Sequence, residues 1–387
     1  MSWPLGSLKD IAEVISGYAF KSTWFDEGVD KVIRIGDLQE GKVNLQKSKT
    51  FDSSVHTVRE QFRVRSGDIL MALSGATVGK IAVADGKCAG AYLNQRVAII
   101  RAKQPESASY IKYIFSGNYL DTLLLNAGGA AQPNLSPKDL LNMQIPLPPL
   151  NEQKRIAAIL DKADAIRQKR KQAIDLAEDF LRSVFLDMFG DPVTNPKGWD
   201  VRPLGEVLRI RRGASPRPIK DYLGGNVPWI KISDGSKGDQ IYLHETKEFV
   251  TEAGAQKSVY LDEGALIFAN CGVSLGFARI LKKPGCIHDG WLAFDNIDND
   301  FNKIFLLKWL NQLTKHFRRI APDGTQPNLN TAIMKEQELI CPPIELQLNF
   351  ESVVHRTDTL LGKLKQSYEY DNEFFNSLSQ KAFSGQL

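Results

Sequence analysis

The chain has 387 residues, which is too long for one ordinary domain and enough for two. Hydrophobic residues make up 43% and charged residues 24%, which is typical of a folded globular protein and excludes a largely disordered chain. The formal net charge of +4 permits a nucleic-acid partner without requiring one. Because no window reaches ~18 uninterrupted apolar residues, we expect no membrane partner and a cytoplasmic location.

The segment from Trp3 to about Leu147 predicts a mixed α and β domain. Short runs rich in Val and Ile recur between Gly, Asp and Asn turn residues: DKVIRIGDL, GDILMALSG, GKIAVAD and QRVAIIRA. A helix-like stretch follows, SASYIKYIFSGNYLDTLLLNAGG. Ser136 and Pro137 then predict the cap and the first residue of a short helix.

A long amphipathic helix is predicted after the double proline at Pro148 and Pro149. Residues 151 to 189 contain no Gly or Pro, and a helix of roughly 36 residues would be about 54 Å long. Its apolar stripe is formed by Ile156, Ile159, Leu160, Ala163, Ile166, Ala173, Ala177, Phe180, Leu181 and Val184.

The second half of the chain repeats the first. AQPNL at Ala131–Leu135 returns as TQPNL at Thr325–Leu329, and SGDILMALSG and PLPPL return as EGALIFANCG and ICPPI. The matches keep their order at separations of 194 to 197 residues, so we interpret the chain as a tandem duplication. A second long helix is predicted after Pro343, with its apolar stripe at Phe350, Val353, Val354, Leu360, Leu361, Leu364, Tyr368, Phe374, Phe375 and Leu378.

The predicted fold class is α+β, with two similar mixed α/β domains at 1–149 and 191–343 and helical spacers at 150–190 and 344–387. A lone helix with one apolar stripe is unstable in water, so we expect the two helices to pair as an antiparallel, coiled-coil-like spacer with approximate twofold symmetry. Two domains on a spacer suit a target with two separated parts. DNA is one such target, and a pair of proteins held by an adaptor is another.

The helical segments resemble a known family. The stretch from IPLPPLNEQKRIAAILDKADAIRQKRK to DPVTNPKGW resembles the central conserved region of specificity (S) subunits of type I restriction-modification systems. The ending, CPPIELQLNF to EFFNSLSQKAFSGQL, is similar to their distal conserved region. The resemblance spans essentially the whole chain, although the globular parts share only a skeleton with the family.

The resemblance implies that each globular part is a target recognition domain reading one half of a split double-stranded DNA sequence. It implies that the helices are a ruler and a docking site for two methyltransferase (M) subunits, and that restriction (R) subunits complete the nuclease. The S subunit would catalyse nothing and bind no cofactor, because S-adenosylmethionine would sit on the M subunits that methylate adenine.

Several polar residues are candidates for DNA contact. Small residues after a strand let the backbone approach a phosphate, and Arg, Asn and Gln can bond base edges. A basic run, RIRRGASPRPIK, reads as a loop that could follow a DNA backbone. The alternatives are a tight turn without a ligand and an ordinary solvated face. The candidates are Ser74, Gly75, Thr77, Lys80, Asn94, Gln95, Arg96, Arg209, Arg211, Arg212, Arg217, Lys220, Asn270 and Ser274.

Other residues are candidates for structure or for partner contact. At the starts of the two long helices, the resemblance implies a partner-binding role for Glu152, Gln153, Arg155 and Gln347, with helix capping as the alternative. The repeated Gln-Pro-Asn-Leu residues, Gln132, Asn134, Gln326 and Asn328, are expected mainly to order a turn through hydrogen bonds to the backbone.

The motifs of several enzyme classes are missing. GATVGK at Gly75–Lys80 is one residue short of a phosphate loop, and Ile81 stands where Ser or Thr would bind magnesium. No NPPY or DPPY methyltransferase motif occurs, and the four cysteines form no Cys-x-x-Cys pair, which argues against a zinc site. We therefore favour a non-catalytic DNA-binding subunit over a two-headed protein scaffold, and both over an enzyme with its site between the domains.

Overall fold

A computed structural model describes residues 2–116, 120–121, 124–125, 135–272, 274–322 and 327–387. The chain divides into two compact units, each containing part of both long helices. Unit 1 comprises Met1–Gln172 and Lys365–Leu387, and unit 2 comprises Ala173–Leu364.

Three sheets build unit 1. One has the strand order β2-β10-β7-β8-β5-β4, a second has the order β6-β3-β9, and β1 pairs with β11. The strands are β1 Leu5–Ser7, β2 Ala12–Ser16, β3 Asp30–Ile33, β4 Leu38–Gln39, β5 Gly41–Val43, β6 Lys49–Phe51, β7 Ile69–Ala72, β8 Ile81–Val83, β9 Tyr92–Leu93, β10 Val97–Ala102 and β11 Gln144–Pro146. Each of the four runs predicted from Val and Ile content contains one of these strands, because the branched side chains fill the two faces of a buried sheet.

Helices α1 (Ala108–Ile114) and α2 (Pro137–Asn142) belong to unit 1, and the first long helix, α3 (Leu150–Phe189), begins there. The Ser136 hydroxyl accepts a hydrogen bond from the Asp139 amide at 3.2 Å, which confirms the predicted cap of α2. Much of the helix predicted beyond α1 lies outside the described residues.

Unit 2 repeats the plan of unit 1. Its sheets have the orders β13-β21-β18-β19-β15 and β16-β14-β20-β17, and β12 pairs with β22. The strands are β12 Val201–Pro203, β13 Arg209–Arg212, β14 Leu223–Ile230, β15 Tyr242–Leu243, β16 Glu248–Val250, β17 Val259–Leu261, β18 Leu266–Ala269, β19 Ala278–Leu281, β20 Gly285–Ile287, β21 Trp291–Asp295 and β22 Glu338–Ile340. The central strands β18 and β21 are apolar at nearly every position, because both faces of the sheet are covered.

The helices of unit 2 include the segment that follows β21. There the predicted helix consists of two, α7 and α8, and Phe305 and Trp309 on α7 are fully buried. The helices are α4 Leu204–Val207, α5 Ile232–Gly235, α6 Glu252–Ala255, α7 Lys303–Gln312, α8 Thr314–Ile320, α9 Thr331–Lys335 and the second long helix, α10 Ile344–Ser384.

The long helices run antiparallel within unit 1. Arg155 Nη2 donates to the Leu387 carbonyl at 2.9 Å, whereas Arg170 Nε donates to Asp371 Oδ2 at 3.1 Å, so rising numbers on α3 meet falling numbers on α10. Phe375 packs under the guanidinium of Arg167 at 3.9 Å from the ring centroid. Arg167 and Arg170 of α3 therefore both contact α10 across the helix pair.

In unit 2 the long helices pack through aromatic rings. The Phe350 ring of α10 lies 5.6 Å from that of Phe185 and 5.3 Å from that of Phe189, both on α3, and Phe305 of α7 closes the cluster. Edge-to-face geometry of this kind adds to the stabilisation from apolar burial. The predicted fold class, mixed α/β domains with two long helices, is confirmed. In the described part of the chain, no helix combines the length and apolarity that crossing a bilayer requires.

Candidate nucleic-acid interface

In unit 1, the loop between β7 and β8 is a tight turn that carries four candidate residues. The Ala72 amide donates to the Lys80 carbonyl at 2.9 Å, and the Gly79 amide donates to the Ala72 carbonyl at 3.0 Å. Gly75, Thr77 and Lys80 are exposed and Ser74 is half-buried. Their side chains and amides are therefore accessible, and their contact with DNA stays a prediction.

A second loop, Asn94–Arg96, lies beside that turn. The Leu73 amide donates to the Arg96 carbonyl, and the Leu135 amide donates to the Leu73 carbonyl, each at 2.9 Å. Gln95 and Arg96 are exposed and Asn94 is half-buried. Three segments that are distant in the sequence therefore meet here, including the end of the first Gln-Pro-Asn-Leu stretch.

The same loop crosses the backbone at Gly17. A Cβ placed on Gly17 would lie 2.2 Å from the Asn94 carbonyl oxygen, and one placed on Gly213 in unit 2 would lie 2.2 Å from the His288 carbonyl oxygen. Glycine is required at both crossings because two backbones approach too closely for a side chain. The loop His288–Gly290 in unit 2 is therefore the structural counterpart of Asn94–Arg96.

Our sequence analysis missed His288 and Asp289. The sequence did contain a signal for the equivalence of the two loops. Asn94 and His288 are 194 residues apart, which is the same separation as between Gln132 and Gln326. The two loops share no residue type, so similarity alone could not pair them.

Asn270 was wrong as a DNA contact, because it is fully buried at the end of β18. Its Nδ2 donates to Asn328 Oδ1 at 3.0 Å and to the Leu329 carbonyl at 3.2 Å, and the Leu329 amide donates to the Asn270 carbonyl at 2.8 Å. Asn270 therefore fixes the second Gln-Pro-Asn-Leu stretch. The Asn328 side chain bonds the Asn270 side chain rather than the backbone, which differs from the prediction, and Gln132, Asn134 and Gln326 lie outside the described residues. On the turn that follows β18, Ser274 is half-buried.

The basic run of unit 2 is only partly the predicted loop. Its first four residues form β13, paired antiparallel with β21, where Arg209 is exposed and Arg211 forms an ion pair with Asp295. Ile210 is buried, and its strand neighbours Arg209 and Arg211 lie on the opposite face of β13. The loop begins at Gly213 and carries the exposed residues Arg217 and Lys220.

Asp289 lies at the centre of a polar cluster in this loop region. Its Oδ1 accepts from Ser215 Oγ at 2.8 Å and lies 3.0 Å from His288 Nε2, and its Oδ2 lies 3.7 Å from Arg217 Nη2. Arg212 Nε donates to the Asp289 carbonyl at 3.0 Å. Asp289, which was not among the predicted site residues, thus brings the candidates Arg212 and Arg217 together.

The half-buried His288 imidazole lies among charged groups of both signs. Burial lowers the pKa of His288, and Lys231, Arg217 and Arg212 lower it further, against the opposing effect of Asp289. The lowered pKa of His288 favours the neutral imidazole, which offers one donor and one acceptor.

Two of the predicted partner-binding residues are wrong. Gln153 and Gln347 are both buried, and their Nε2 atoms donate to the Pro148 carbonyl at 2.9 Å and to the Pro342 carbonyl at 2.8 Å. Each glutamine thus locks the double-proline turn to the first turn of a long helix, so neither is accessible to a partner.

Glu152 and Arg155 remain on the surface of unit 1. Arg155 Nε donates to Glu152 Oε2 at 2.8 Å, one turn along the helix. Both side chains are partly or fully exposed, so partner contact through them stays a prediction.

The predicted stripe is buried only in part. Leu160, Leu181, Phe350 and other members lie in the cores, whereas six large apolar side chains of the long helices are at least half exposed. Those six are Ile166, Tyr370 and Phe374 in unit 1 and Leu176, Phe180 and Leu360 in unit 2. Four of them belong to the stripe that we expected to pack within the chain.

Within the described ranges, no group of three or more His, Cys, Asp or Glu residues is arranged to hold a metal ion. The accessible groups of the candidate interface are cations, amides and hydroxyls, which can bind phosphates and base edges, together with the partly exposed Asp289 carboxylate and His288 imidazole.

Comparisons with known proteins match one family over most of the chain. The family model described as "Type I restriction modification DNA specificity domain" matches residues 2–176 and again residues 196–365. The EcoBI specificity subunit of Escherichia coli is 28% identical over 423 aligned residues, covering 100% of this chain and 86% of its own length. The MjaIX specificity subunit of Methanocaldococcus jannaschii is 24% identical, covering 91% of this chain and 86% of its own length.

Solved structures share the fold. The S subunit of a type I restriction-modification system from M. genitalium aligns with a TM-score of 0.56 at 17% identity, covering 99% of this chain and 96% of its own. A chain from a study of the assembly and conformational transition of a type I system aligns with a TM-score of 0.59 at 18% identity, covering 100% of this chain and 98% of its own.

Proposed function

The chain belongs to the family of DNA specificity subunits of type I restriction-modification systems, and from this premise we propose that each unit binds one half of a bipartite double-stranded DNA target. One observation carries the proposal. In both units the loop after a central strand, a crossing glycine and a second polar loop are joined by the same backbone contacts. Exposed Arg, Lys and amide side chains on these loops can bind phosphates and base edges.

The two half-sites are expected to differ. Unit 1 presents Asn94, Gln95 and Arg96 where unit 2 presents His288 and Asp289. Side chains with different donors and acceptors select different base edges in the major groove. The target is therefore two unrelated sequences separated by a spacer rather than a palindrome.

The exposed apolar residues of the long helices are proposed to dock two methyltransferase subunits. Those subunits would carry S-adenosylmethionine and methylate adenine, and restriction subunits would complete the nuclease in the cytoplasm. The chain would itself catalyse nothing. Support comes from Phe374, which is 62% exposed on α10, and from Phe180, which is 50% exposed on α3. Aromatic anchors of this kind supply much of the affinity of protein interfaces.

The DNA-binding part of the proposal is tested with the assembled complex of this chain and its methyltransferase subunits. Binding to an oligonucleotide that carries the methylated motif should weaken steeply between 50 and 200 mM salt, because phosphate contacts release counterions. A duplex with one half-site scrambled is the control and should bind at least ~10-fold more weakly. Binding that ignores both salt and sequence would favour a protein adaptor instead.

The docking part is tested by Phe374→Ala, with Glu373→Ala as the matched control on the same exposed helix. Loss of the aromatic anchor should weaken assembly with the methyltransferase subunits by about 10-fold or more. Glu373→Ala should change this affinity little, because Glu373 lies at a different position around the helix. Equal affinities for both variants, measured by titration of the purified subunits, would remove α10 from the proposed docking surface.

A further inference from the structure

Arg217 is an exposed cation of unit 2 with a carboxylate beside it. Its side chain is 76% exposed, and Asp289 Oδ2 lies 3.7 Å from its Nη2. The same carboxylate accepts from Ser215 Oγ at 2.8 Å, which fixes its orientation. The guanidinium therefore has a negative charge within ion-pairing distance on one side, and most of the side chain is exposed.

The loops that carry Arg217 and Asp289 are held by the sheet. The Gly213 amide donates to the Trp291 carbonyl at 2.8 Å, the Ala214 amide to the Ile287 carbonyl at 3.1 Å, and the His288 amide to the Ile230 carbonyl at 3.0 Å. Gly213 admits no side chain at the crossing. A base contact depends on orientation and therefore needs a rigid support, whereas a charge contact to a phosphate does not need one.

The neighbouring carboxylate also decides between the two classes of DNA contact. A phosphate brought to Arg217 would be repelled by Asp289, since both carry negative charge. A base edge is neutral, and guanine presents two acceptors, O6 and N7, that match the paired donors of a guanidinium. Exposed Arg209 on β13 is suited to either type of contact.

We propose that Arg217, oriented by Asp289, reads a guanine in the half-site bound by unit 2. The inference rests on the proposed function and identifies one position within the target. At the same distance after its crossing glycine, unit 1 has Lys21, which lies 5.6 Å from the Trp24 ring centroid, so unit 1 does not repeat the pair. The guanine contact is therefore specific to one half-site.

The test is the methylation motif produced by the complete complex in a host without other adenine methyltransferases. Single-molecule sequencing compares the wild-type chain with Arg217→Ala, Arg217→Lys, Asp289→Asn and the control Lys247→Ala, which removes an exposed cation of unit 2 outside the candidate DNA contacts. In Arg217→Ala, discrimination at one G·C position of one half-site should fall on the order of 10- to 100-fold, with the other half intact. Arg217→Lys should relax the same position because lysine lacks the planar fork. Asp289→Asn should relax it partially, and Lys247→Ala should leave the motif unchanged.

Other outcomes overturn the inference. They are an unchanged motif in Arg217→Ala, relaxation at an A·T position, or full specificity in Arg217→Lys, which would make the contact one of charge alone. If Arg217→Ala abolishes methylation, the purified complex is tested instead by competition binding to duplexes that carry each base pair at that position. This measurement distinguishes a base contact from a phosphate contact. Equal losses for all base pairs would indicate a phosphate contact. The wild-type motif reports separately on the proposed function, since a chain that specifies no split motif fails before any variant is compared.

Discussion

Phe350→Ala should destabilise unit 2 far more than the same substitution on the exposed side of the same helix. Phe350 is 0% exposed and its ring contacts those of Phe185 and Phe189. Removing a fully buried phenylalanine costs about 3–5 kcal/mol, through lost apolar burial and the cavity left behind. At about 2–4 °C per kcal/mol for a unit of this size, the melting temperature should fall by roughly 6–20 °C.

Phe374→Ala is the matched control, because Phe374 is 62% exposed on the same helix. Its effect on the free energy of unfolding should be below about 1 kcal/mol, since little apolar surface returns to water. Calorimetry of the purified chain resolves the difference. Similar shifts for both variants, or a loss under about 1 kcal/mol for Phe350→Ala, would refute the assignment of Phe350 to a closely packed core.

Three further substitutions test particular contacts. Gly213→Ala places a Cβ 2.2 Å from the His288 carbonyl oxygen and should cost about 1–3 kcal/mol in chemical unfolding, while Gly36→Ala, with open space around it, should cost much less. Gly362→Ala, exposed within α10 and also in open space, should stabilise the chain by about 0.5–1 kcal/mol in the same assay. Arg217→Ala removes a cation that disfavours the imidazolium, so the pKa of His288 should rise in an NMR titration.

Each of these three has an outcome that contradicts it. A neutral Gly213→Ala would mean that the crossing can open, and a destabilising Gly362→Ala would mean that α10 needs its glycine. An unchanged or lowered pKa of His288 would separate Arg217 from the polar cluster.

Much of the fold could be predicted because its signals are local. Runs of Val and Ile mark the buried strands, and the double prolines mark the starts of both long helices. The burial of the helix stripes could not be predicted in detail. Leu160 and Ile166 have the same chemistry, but only one of them faces the core, because the apolar pattern is wider than the surface available within the chain.

The candidate site was less accessible to sequence reasoning. The prediction that Asn270 contacts DNA was wrong because a polar residue at a strand end can either face solvent or bond a neighbouring turn. The sequence pattern is the same in the two cases. The prediction that Gln153 and Gln347 contact a partner was wrong because the sequence does not distinguish a glutamine that bonds the start of its own helix from one that binds a partner. Asp289 was missed because equivalent positions in a duplicated recognition domain need not share residue types.

The central claim is that this chain specifies a bipartite adenine-methylation target. The most direct measurement is single-molecule methylome sequencing of a host that carries the methyltransferase partner, with and without this chain, and with Trp199–Ile340 exchanged for the corresponding segment of another family member. We predict a split methylated motif that requires the chain, and a change in only one half on exchange. Absence of a motif that depends on the chain, or a change in both halves, would contradict the account.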